Sequence, residues 1–327
     1  MRYRRNLRML TERAFKQGSL CVVGNINRDV KAAPLAPGEY LFRDGETSVS
    51  NVIETIGGGG ANSACAAASL GAAVTFVGRL GADALGYRLE RTLKQVGIAS
   101  HPARDKAHPS GTSIALAFES GHRHFISCLP SSRALTFRDI KLKTLTARRH
   151  LLRADVWFSD AMLQGGNKRL FQAARRAGMD VSLDLNWDPH WGRVSRNEIK
   201  ARKQAVRTTL PWVNLVHGNV RELTEFAEAA DMNTALHRLI EWGAEAVIVH
   251  LGENGAGYYD RDSFIIEPPA KARRQVNATG TGDVLSVCMM LLHRHKEASI
   301  PERLRLANQI VAQFMEGQRQ FIPVLAD

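Results

Sequence analysis

The sequence lacks the features that mark membrane, secreted or cysteine-metal proteins. No apolar run approaches the roughly 18 residues that a membrane-spanning helix requires. The first apolar run, residues 20–23, is too short for the core of a secretory signal. The four cysteines are scattered and form no Cys-x-x-Cys pair, which argues against a disulfide framework or a cysteine metal site. These absences predict a cytoplasmic protein with reduced cysteines and no membrane partner.

Negative charge is scarce relative to positive charge. The chain has 44 Lys and Arg residues against 32 Asp and Glu, a net charge of +12. Basic residues cluster over residues 1–18, 141–153 and 193–207. Such runs can contact nucleic acid, but these lack interleaved aromatic side chains, and we favour solvated helix faces. We therefore expect no nucleic-acid partner and a basic N-terminal extension, residues 1–18, that catalysis does not need; its Arg-rich start also weakly resembles a transit peptide.

The rest of the chain alternates short β-rich runs with helical segments, which predicts an α/β fold with a mainly parallel sheet. Helices are expected from about 61 to 70 and, after an Asp83 cap, to about 96. The runs at 112–118 and 124–128 predict a hairpin in a separate small sheet. The expected buried strands cover residues 19–26, 73–78, 155–159, 180–184, 213–217 and 246–250.

Polar or glycine-rich clusters follow several of these strands. They are Asn27 with Asp29, Asp184 with Asn186, Asn219 with Glu222, and the glycine turn at 252–257. Parallel strands bring their carboxyl ends to one edge, so the clusters predict a shared ligand cleft. Each has a structural alternative: Asn27 and Asp29 also suit a turn. On spacing alone, the Asn219–Glu222 pair favours a helix-capping box.

Two glycine-rich turns stand before helices. Residues 57–60 are four consecutive glycines ahead of an alanine-rich helix, a pattern that favours close approach of backbone to a ligand over a plain linker. Gly280 and Gly282 bracket Thr281, and Asp283 and a long apolar run follow. Unpaired amides at a helix start attract an anion, and a carboxylate there could accept a proton from an attacking hydroxyl. The alternative is an acidic residue that only starts a buried helix.

Together these segments resemble the ribokinase-like (PfkB) family of carbohydrate kinases, over about residues 19–320. Residues 57–86 are similar to the family's N-terminal signature, and residues 277–285 to its C-terminal signature. Asn219-x-x-Glu222 matches the family's Asn-x-x-Glu motif, and Asn27-x-Asp29 matches its sugar-binding Asn-x-Asp.

The resemblance implies a three-layer αβα fold over residues 19–327, with a small β-lid from about 29–54 and 110–128. It implies an ATP-dependent kinase that transfers the γ-phosphoryl group to a sugar hydroxyl, with Asp283 as the base. The amides of Gly280, Thr281 and Gly282 would form the anion hole, and Glu222 would hold Mg²⁺ through water. The residues that would bind the sugar are Asn27, Asp29, Gly58, Gly59 and Asn62. Those that would bind the nucleotide are Asp184, Asn186, Asn219, Gly252 and Gly255. Lid strands often pair in this fold, which suggests a homodimer.

Departures from the family pattern leave the acceptor open. Asn277 replaces an Asp and Ala278 a Thr where many members hold potassium, so we expect little potassium activation. His250 stands where a Thr often contacts nucleotide phosphate. A nucleoside kinase would use lid aromatics to stack a base, with Tyr40, Phe42, Phe118 and Phe125 as candidates. A sugar-phosphate kinase would use basic residues to meet a second phosphate, with Arg28, Arg43, His122, Arg123 and His124 as candidates. A weakly active regulatory protein with a kinase fold is the remaining alternative.

Overall fold

The computed structural model describes residues 14–120, 123–274 and 279–325, with Arg123 described by its backbone alone. Within these ranges the strands are β1 (Ser19–Val23), β2 (Asn27–Ala32), β3 (Val52–Gly57), β4 (Ala73–Val77), β5 (Arg79–Gly81), β6 (Ala99–Ser100), β7 (Ala103–Asp105), β8 (Gly111–Ala117), β9 (Arg123–Cys128), β10 (His150–Arg153), β11 (Asp180–Asp184), β12 (Leu215–Asn219), β13 (Ala246–His250), β14 (Ala256–Tyr259) and β15 (Phe264–Glu267).

The α-helices whose two ends are described are α1 (Gly59–Ser69), α2 (Ala84–Gln95), α3 (Pro130–Arg133), α4 (Leu142–Leu145), α5 (Asn167–Arg176), α6 (Arg196–Arg207), α7 (Val220–Ala227), α8 (Met232–Glu241), α9 (Thr281–Leu292) and α10 (Ile300–Met315). Shorter helical turns lie at Glu39–Phe42, Phe137–Asp139, Met162–Gly166, Leu210–Trp212 and Gly252–Asn254.

A nine-stranded sheet of the described chain forms the centre of the molecule, in the order β15-β14-β13-β12-β11-β10-β1-β4-β6. The strands from β13 to β6 are parallel, and β14 and β15 are antiparallel. Because side chains alternate along a strand, Leu20 and Val22 join one core while Cys21 and Val23 join the other. The first core packs against α1, α9 and α10, and the second against α5, α7 and α8. The predicted three-layer α/β fold is confirmed.

A second sheet, in the order β3-β2-β8-β9, forms the lid. It includes the predicted hairpin, with β8 and β9 paired from Thr112 opposite Cys128 to Ala117 opposite Arg123. The C-terminal segment covers the outer edge of β3. The amide of Ile56 donates to the Pro323 carbonyl at 3.1 Å, and that of Leu325 donates to the Glu54 carbonyl at 2.9 Å. The lid is therefore tied to the end of the chain.

The prediction of a strand at residues 155–159 is wrong. The chain instead forms β10 a few residues earlier, at His150–Arg153. β10 contains two basic residues, His150 and Arg153, which are not typical of a buried strand. Both are nevertheless buried. The Arg153 guanidinium lies in the core, where it donates to Asn167 Oδ1 at 2.8 Å and to the Val23 carbonyl at 3.2 Å. Carbonyl and amide oxygens thus replace the water that this cation loses. Asp155 consequently falls just beyond the strand, at the carboxyl edge.

Part of the predicted basic extension packs into the protein. Ala14 and Phe15 are 1% and 4% exposed and belong to the core beside α9 and α10, whereas Lys16 is exposed. A truncation that tests whether catalysis needs the extension should therefore stop before Ala14.

We expect Phe15→Ala to lower the free energy of unfolding by about 3–5 kcal/mol, because it leaves a cavity in the core. Lys16→Ala is the matched control and should change it by less than about 0.5 kcal/mol. Urea denaturation of both variants provides the measurement. Equal midpoints for the two would contradict the packing of Phe15.

Candidate active site

Asp155 joins three segments of the chain at the carboxyl edge of the sheet. Its Oδ2 accepts hydrogen bonds from the amides of Asn25 at 2.9 Å and Gly60 at 2.8 Å, and its Oδ1 accepts one from Gly59 at 3.3 Å. Its own amide donates to Asn186 Oδ1 at 2.8 Å. The residue has a left-handed backbone, φ 55°, which is uncommon for a residue other than glycine. The carboxylate therefore fixes the glycine turn against β1 and β10.

The glycines before α1 are required by close backbone packing. Gly58 has a φ of 95°, and a Cβ on Gly59 would lie 2.8 Å from Asp155 Oδ1. The sequence pattern predicted a close approach of backbone to a ligand, but here the backbone approaches the protein's own carboxylate. The amides of Gly59 and Gly60 at the start of α1 are thus already occupied by the carboxyl group of Asp155. The next turn of α1 carries Asn62 and Ser63.

The glycine turn at 280–282 opens α9 as predicted. Gly280 has a φ of 87°, and the helix begins at Thr281. Asp283 lies in the first turn, where its Oδ1 accepts a hydrogen bond from Ser63 Oγ at 3.2 Å. The N-termini of α1 and α9 thus meet at this carboxylate, and the side chains of α9 from Val284 to Leu292 are buried.

Asp283 resists ionisation. Burial, with a contribution from the negative charge of Asp155, raises the pKa of Asp283 to about 7, and hydrogen bonds from Ser63 and Asn62 act in the opposite direction. A carboxyl group with a pKa near neutrality is suited to exchange a proton with substrate at physiological pH.

Asp283 is one of four acidic residues at this edge of the sheet. Burial raises the pKa of Asp184 well above its ordinary value, and the charges of Asp283, Glu222 and Asp155 raise it further. Burial also raises the pKa values of Glu222 and Asp155. No group of three or more Asp, Glu, His or Cys side chains in the described ranges could hold a metal ion by itself.

The Asn219–Glu222 pair forms the capping box that its spacing favoured. Asn219 Oδ1 accepts from the Glu222 amide, and Glu222 Oε2 accepts from the Asn219 amide, both at 2.9 Å. The pair thus starts α7 at the end of β12. The cap also fixes the Glu222 carboxylate near Asp184, whose pKa it raises.

A cavity of about 550 Å³ lies on the other side of the α9 turn. Gly252, Gly255, Thr281 and Gly282 line it together with His250. The His250 Nε2 atom lies 3.0 Å from Ser286 Oγ. A Cβ on Gly282 would lie 3.0 Å from His250 Nδ1, so the imidazole lies close against the turn. Burial lowers the pKa of His250 to about 4, so it is neutral at pH 7.

Asn27 and Asp29 lie on one face of the lid. Asn27 Nδ2 donates to Asp29 Oδ1 at 2.7 Å and to Ser113 Oγ at 3.2 Å, and the Ser113 and Ser127 hydroxyls lie 2.8 Å apart. Neither serine was predicted as a site residue, although the alternation of side chains along β8 and β9 places both on this face.

The structure separates the residues that were predicted to bind the nucleotide into two groups. Gly252 and Gly255 line the cavity beside α9, whereas Asp184, Asn186 and Asn219 do not; Asn186 instead supports Asp155. Asn277 and Ala278 lie outside the described residues. Asp155 and Ser63 were missed. The misplaced strand hid Asp155, and nothing in its local sequence marks Ser63.

Comparisons with known proteins place this arrangement in a family. The model of the pfkB family carbohydrate kinases matches residues 17–316, and the chain belongs to that family. It is an ATP-dependent sugar kinase, a phosphotransferase.

Individual relatives are distant. The chain is 26% identical over 275 residues to probable fructokinase-4 of Arabidopsis thaliana, covering 78% of this chain and 80% of the relative. It is 26% identical over 264 residues to fructokinase-2 of Zea mays, covering 78% and 76%. A fructokinase with bound ATP from Xylella fastidiosa superposes with a TM-score of 0.76 at 22% identity, covering 94% of each chain. A putative ribokinase II in complex with ATP and Mg²⁺ from E. coli superposes with a TM-score of 0.75 at 17% identity, covering 91% of this chain and 93% of that chain.

The raised pKa of Asp283 predicts a distinctive pH dependence. If Asp283 is the base that the sequence predicts, it must be ionised to act, so kcat/KM should fall about tenfold per pH unit below about pH 7 and level off above it. Ser63→Ala removes a hydrogen bond that favours the charged carboxylate, so the acidic limb should move to higher pH. Initial rates from pH 5 to 9 measure both. An acidic limb near pH 4, unchanged in Ser63→Ala, would rule out this role for Asp283.

Proposed function

We propose that Asp283 is the general base for phosphoryl transfer from ATP to a sugar hydroxyl. The observation that carries the proposal is its position at the start of α9. The nucleotide cavity lies against Thr281 and Gly282 on one side, and Ser63 contacts the carboxylate on the other. The acceptor would lie between α1 and the lid, with its hydroxyl facing Asp283.

In the proposed reaction the acceptor oxygen forms a bond to the γ-phosphorus of ATP. The bond between the γ-phosphorus and the oxygen that bridges it to the β-phosphorus breaks. ADP leaves, and the hydroxyl proton passes to Asp283. The amides of Gly280, Thr281 and Gly282, at the start of α9, would donate to the transferred group. Their location at the dipole-positive end of α9 favours the charge that develops there.

The residues present fit Mg²⁺ bound mainly through water and phosphate. Mg²⁺ prefers oxygen ligands and keeps several waters, which agrees with a carboxylate set too dispersed to hold a metal alone. Glu222 and Asp184 would hold the hydrated ion. Burial raises the pKa values of both carboxyl groups, and a bound cation would favour their charged forms. When bound, Mg²⁺ neutralises phosphate charge during transfer.

The nucleotide would occupy the cavity beside Gly252 and Gly255, with its phosphates directed to the α9 turn. His250 would use Nδ1 toward the phosphates, because Nε2 faces Ser286. A neutral imidazole can donate one hydrogen bond there without adding charge. Asp184, Asn186 and Asn219 would act near the phosphates and the metal ion, outside the cavity itself.

On the sugar side, Asn27, Asp29 and Asn62 would accept or donate hydrogen bonds to acceptor hydroxyls. Asn62 Oδ1 is buried and has no hydrogen-bond partner in the described chain, which leaves it for a substrate group. Gly58 and Gly59 would shape the base of the pocket. Fructose is the first acceptor to test, since the two sequence relatives named above are a probable fructokinase and a fructokinase.

Two observations argue against a phosphorylated acceptor. Arg28 is paired with Glu54 at 3.0 Å, and Arg43 with Glu39 at 2.9 Å. Arg28 also alternates with Asn27 and Asp29 along β2, so it lies on the opposite lid face. These arginines are therefore poorly placed to meet a substrate phosphate. An assay of ADP formation with fructose, ribose, fructose 6-phosphate and adenosine tests the acceptor class.

We expect Asp283→Asn to lower kcat by roughly 10²- to 10⁴-fold, because the amide cannot accept the proton. Dissociation constants of sugar and ATP should change far less, since the proton moves only in the transition state. As a helix cap alone, the residue would contribute only about 1 kcal/mol or less of stability.

The matched control is Asp231→Asn. Asp231 caps α8 by accepting from the Thr234 amide at 2.9 Å and is exposed. Its substitution should affect the melting temperature alone. Near-normal turnover in Asp283→Asn with a lowered melting temperature would reduce Asp283 to a cap.

We also propose that potassium has little effect on this enzyme. The support is Asn277 at the position of an aspartate in relatives that hold the ion, since an amide supplies one negative charge fewer. Turnover in potassium-free buffer should be close to turnover with added potassium. An increase of several-fold on adding potassium would refute the proposal.

Two further proposals concern assembly and location. The lid face opposite Asp29 exposes Val52, Ile114 and Ile126 by 57%, 44% and 55%, which supports pairing of lids in a homodimer. Light scattering that finds only monomer would exclude the homodimer.

The proposed location is the cytoplasm. Cys21, Cys65 and Cys288 are buried free thiols, in keeping with that location. Fluorescence imaging of the tagged chain tests it. No described helix combines the length and apolar character that crossing a bilayer requires.

A further inference from the structure

A second cavity lies away from the catalytic cleft, at the β6 edge of the main sheet. Its volume is about 790 Å³, larger than the nucleotide cavity, and the two share no lining residue. Its walls are the C-terminal half of α2, β6 with the turn that follows, and residues 138–144. This volume is within the range of small-molecule sites.

The cavity carries a surplus of positive charge. Lys94, Arg104, Arg138 and Lys141 line it, together with the carboxylates of Glu90 and Asp139. Both carboxylates already have cationic partners. Lys94 lies 2.7 Å from Glu90, which also pairs with Arg104, and Arg79 lies 2.9 Å from Asp139.

Two of the lining cations remain for a ligand. The side chains of Arg138 and Lys141 are exposed and make no hydrogen bond or ion pair within the described ranges. An arginine fork beside a lysine is well suited to the oxygens of a phosphate group. The surplus therefore predicts an anionic ligand.

The floor of the cavity is apolar. Val77 and Ile98 are buried there, and Pro102 and Ala103 are partly buried beside them. The buried Ser100 hydroxyl lines the same floor and lacks a hydrogen-bond partner in the described chain. A ligand that fills this space needs a neutral body in addition to its charge, which inorganic phosphate does not have.

The cavity also lies at the base of the lid hairpin. β7 leads into β8, and residues 138–144 follow β9 through α3. Arg79 connects these two segments, since its Nε lies 2.9 Å from Asp105 and its terminal nitrogen 2.9 Å from Asp139. A ligand held between the walls would therefore contact both chain segments that support the hairpin.

We propose that this cavity is a second binding site, for a small phosphorylated metabolite. The phosphate lies on Arg138 and Lys141, and the neutral body lies over Ile98 and Pro102. Both a sugar phosphate and a nucleoside monophosphate have this chemistry.

Calorimetric titration of the full-length protein tests the site, with the catalytic cleft filled by Mg²⁺ and a non-hydrolysable ATP analogue. The probes are ribose 5-phosphate, AMP and inorganic phosphate. We expect at least one of the two esters to bind, and its affinity to fall at least about tenfold in the Arg138→Ser/Lys141→Ser variant. The ester that binds more tightly identifies the neutral body as a sugar or a nucleoside.

Lys143→Ser/Arg193→Ser is the matched control, because it removes the same charge from two exposed residues outside the cavity. It should bind the ester like the unmodified protein. The proposal is overturned if neither ester binds, if the two double variants lose affinity equally, or if the cavity variant binds normally. Binding of inorganic phosphate as tight as that of the esters would show an adventitious ion only and would also overturn it.

Discussion

The active-site architecture depends on one buried carboxylate that accepts hydrogen bonds from backbone amides. Asp155 binds the amides of Asn25, Gly59 and Gly60, and these contacts fix the start of α1 against the sheet. Since α1 carries Asn62 and Ser63, the position of Asp155 sets where those side chains meet Asp283. Removing one partner of such a buried network leaves the others unsatisfied. The geometry of the proposed base therefore depends on a residue at the end of β10.

The same edge of the sheet concentrates negative charge. Burial disfavours the ionisation of four carboxyl groups there, and negative neighbours add to the effect at some of them. The four residues are Asp155, Asp184, Glu222 and Asp283. An arrangement of this kind is costly until a cation or a proton compensates it. In a kinase both arrive with the substrates, as the metal ion on the nucleotide and as the hydroxyl proton of the acceptor. Under the proposed mechanism, relief of this cost would favour binding of the metal-bearing nucleotide.

Local patterns predicted the helix starts and the fold class well. The glycine turn before α9, the Asp83 cap and the Asn219–Glu222 box each depend on residues within a few positions of one another. The failure at β10 has the opposite origin. Arg153 is compatible with a buried strand only because Asn167 and the Val23 carbonyl receive its hydrogen bonds, and those partners are distant in sequence. The contact between Ser63 and Asp283, 220 residues apart, was hidden for the same reason.

The pairing of the chain end with the lid has a practical consequence for anyone who handles this protein. Pro323 and Leu325 form hydrogen bonds with the outer edge of β3, so a purification tag or fluorescent protein attached after them would lie next to the sheet that we propose covers the acceptor. Such a cargo could slow opening and closing without touching any reacting group. A kinetic comparison of the tagged and untagged protein would show whether the added mass changes turnover.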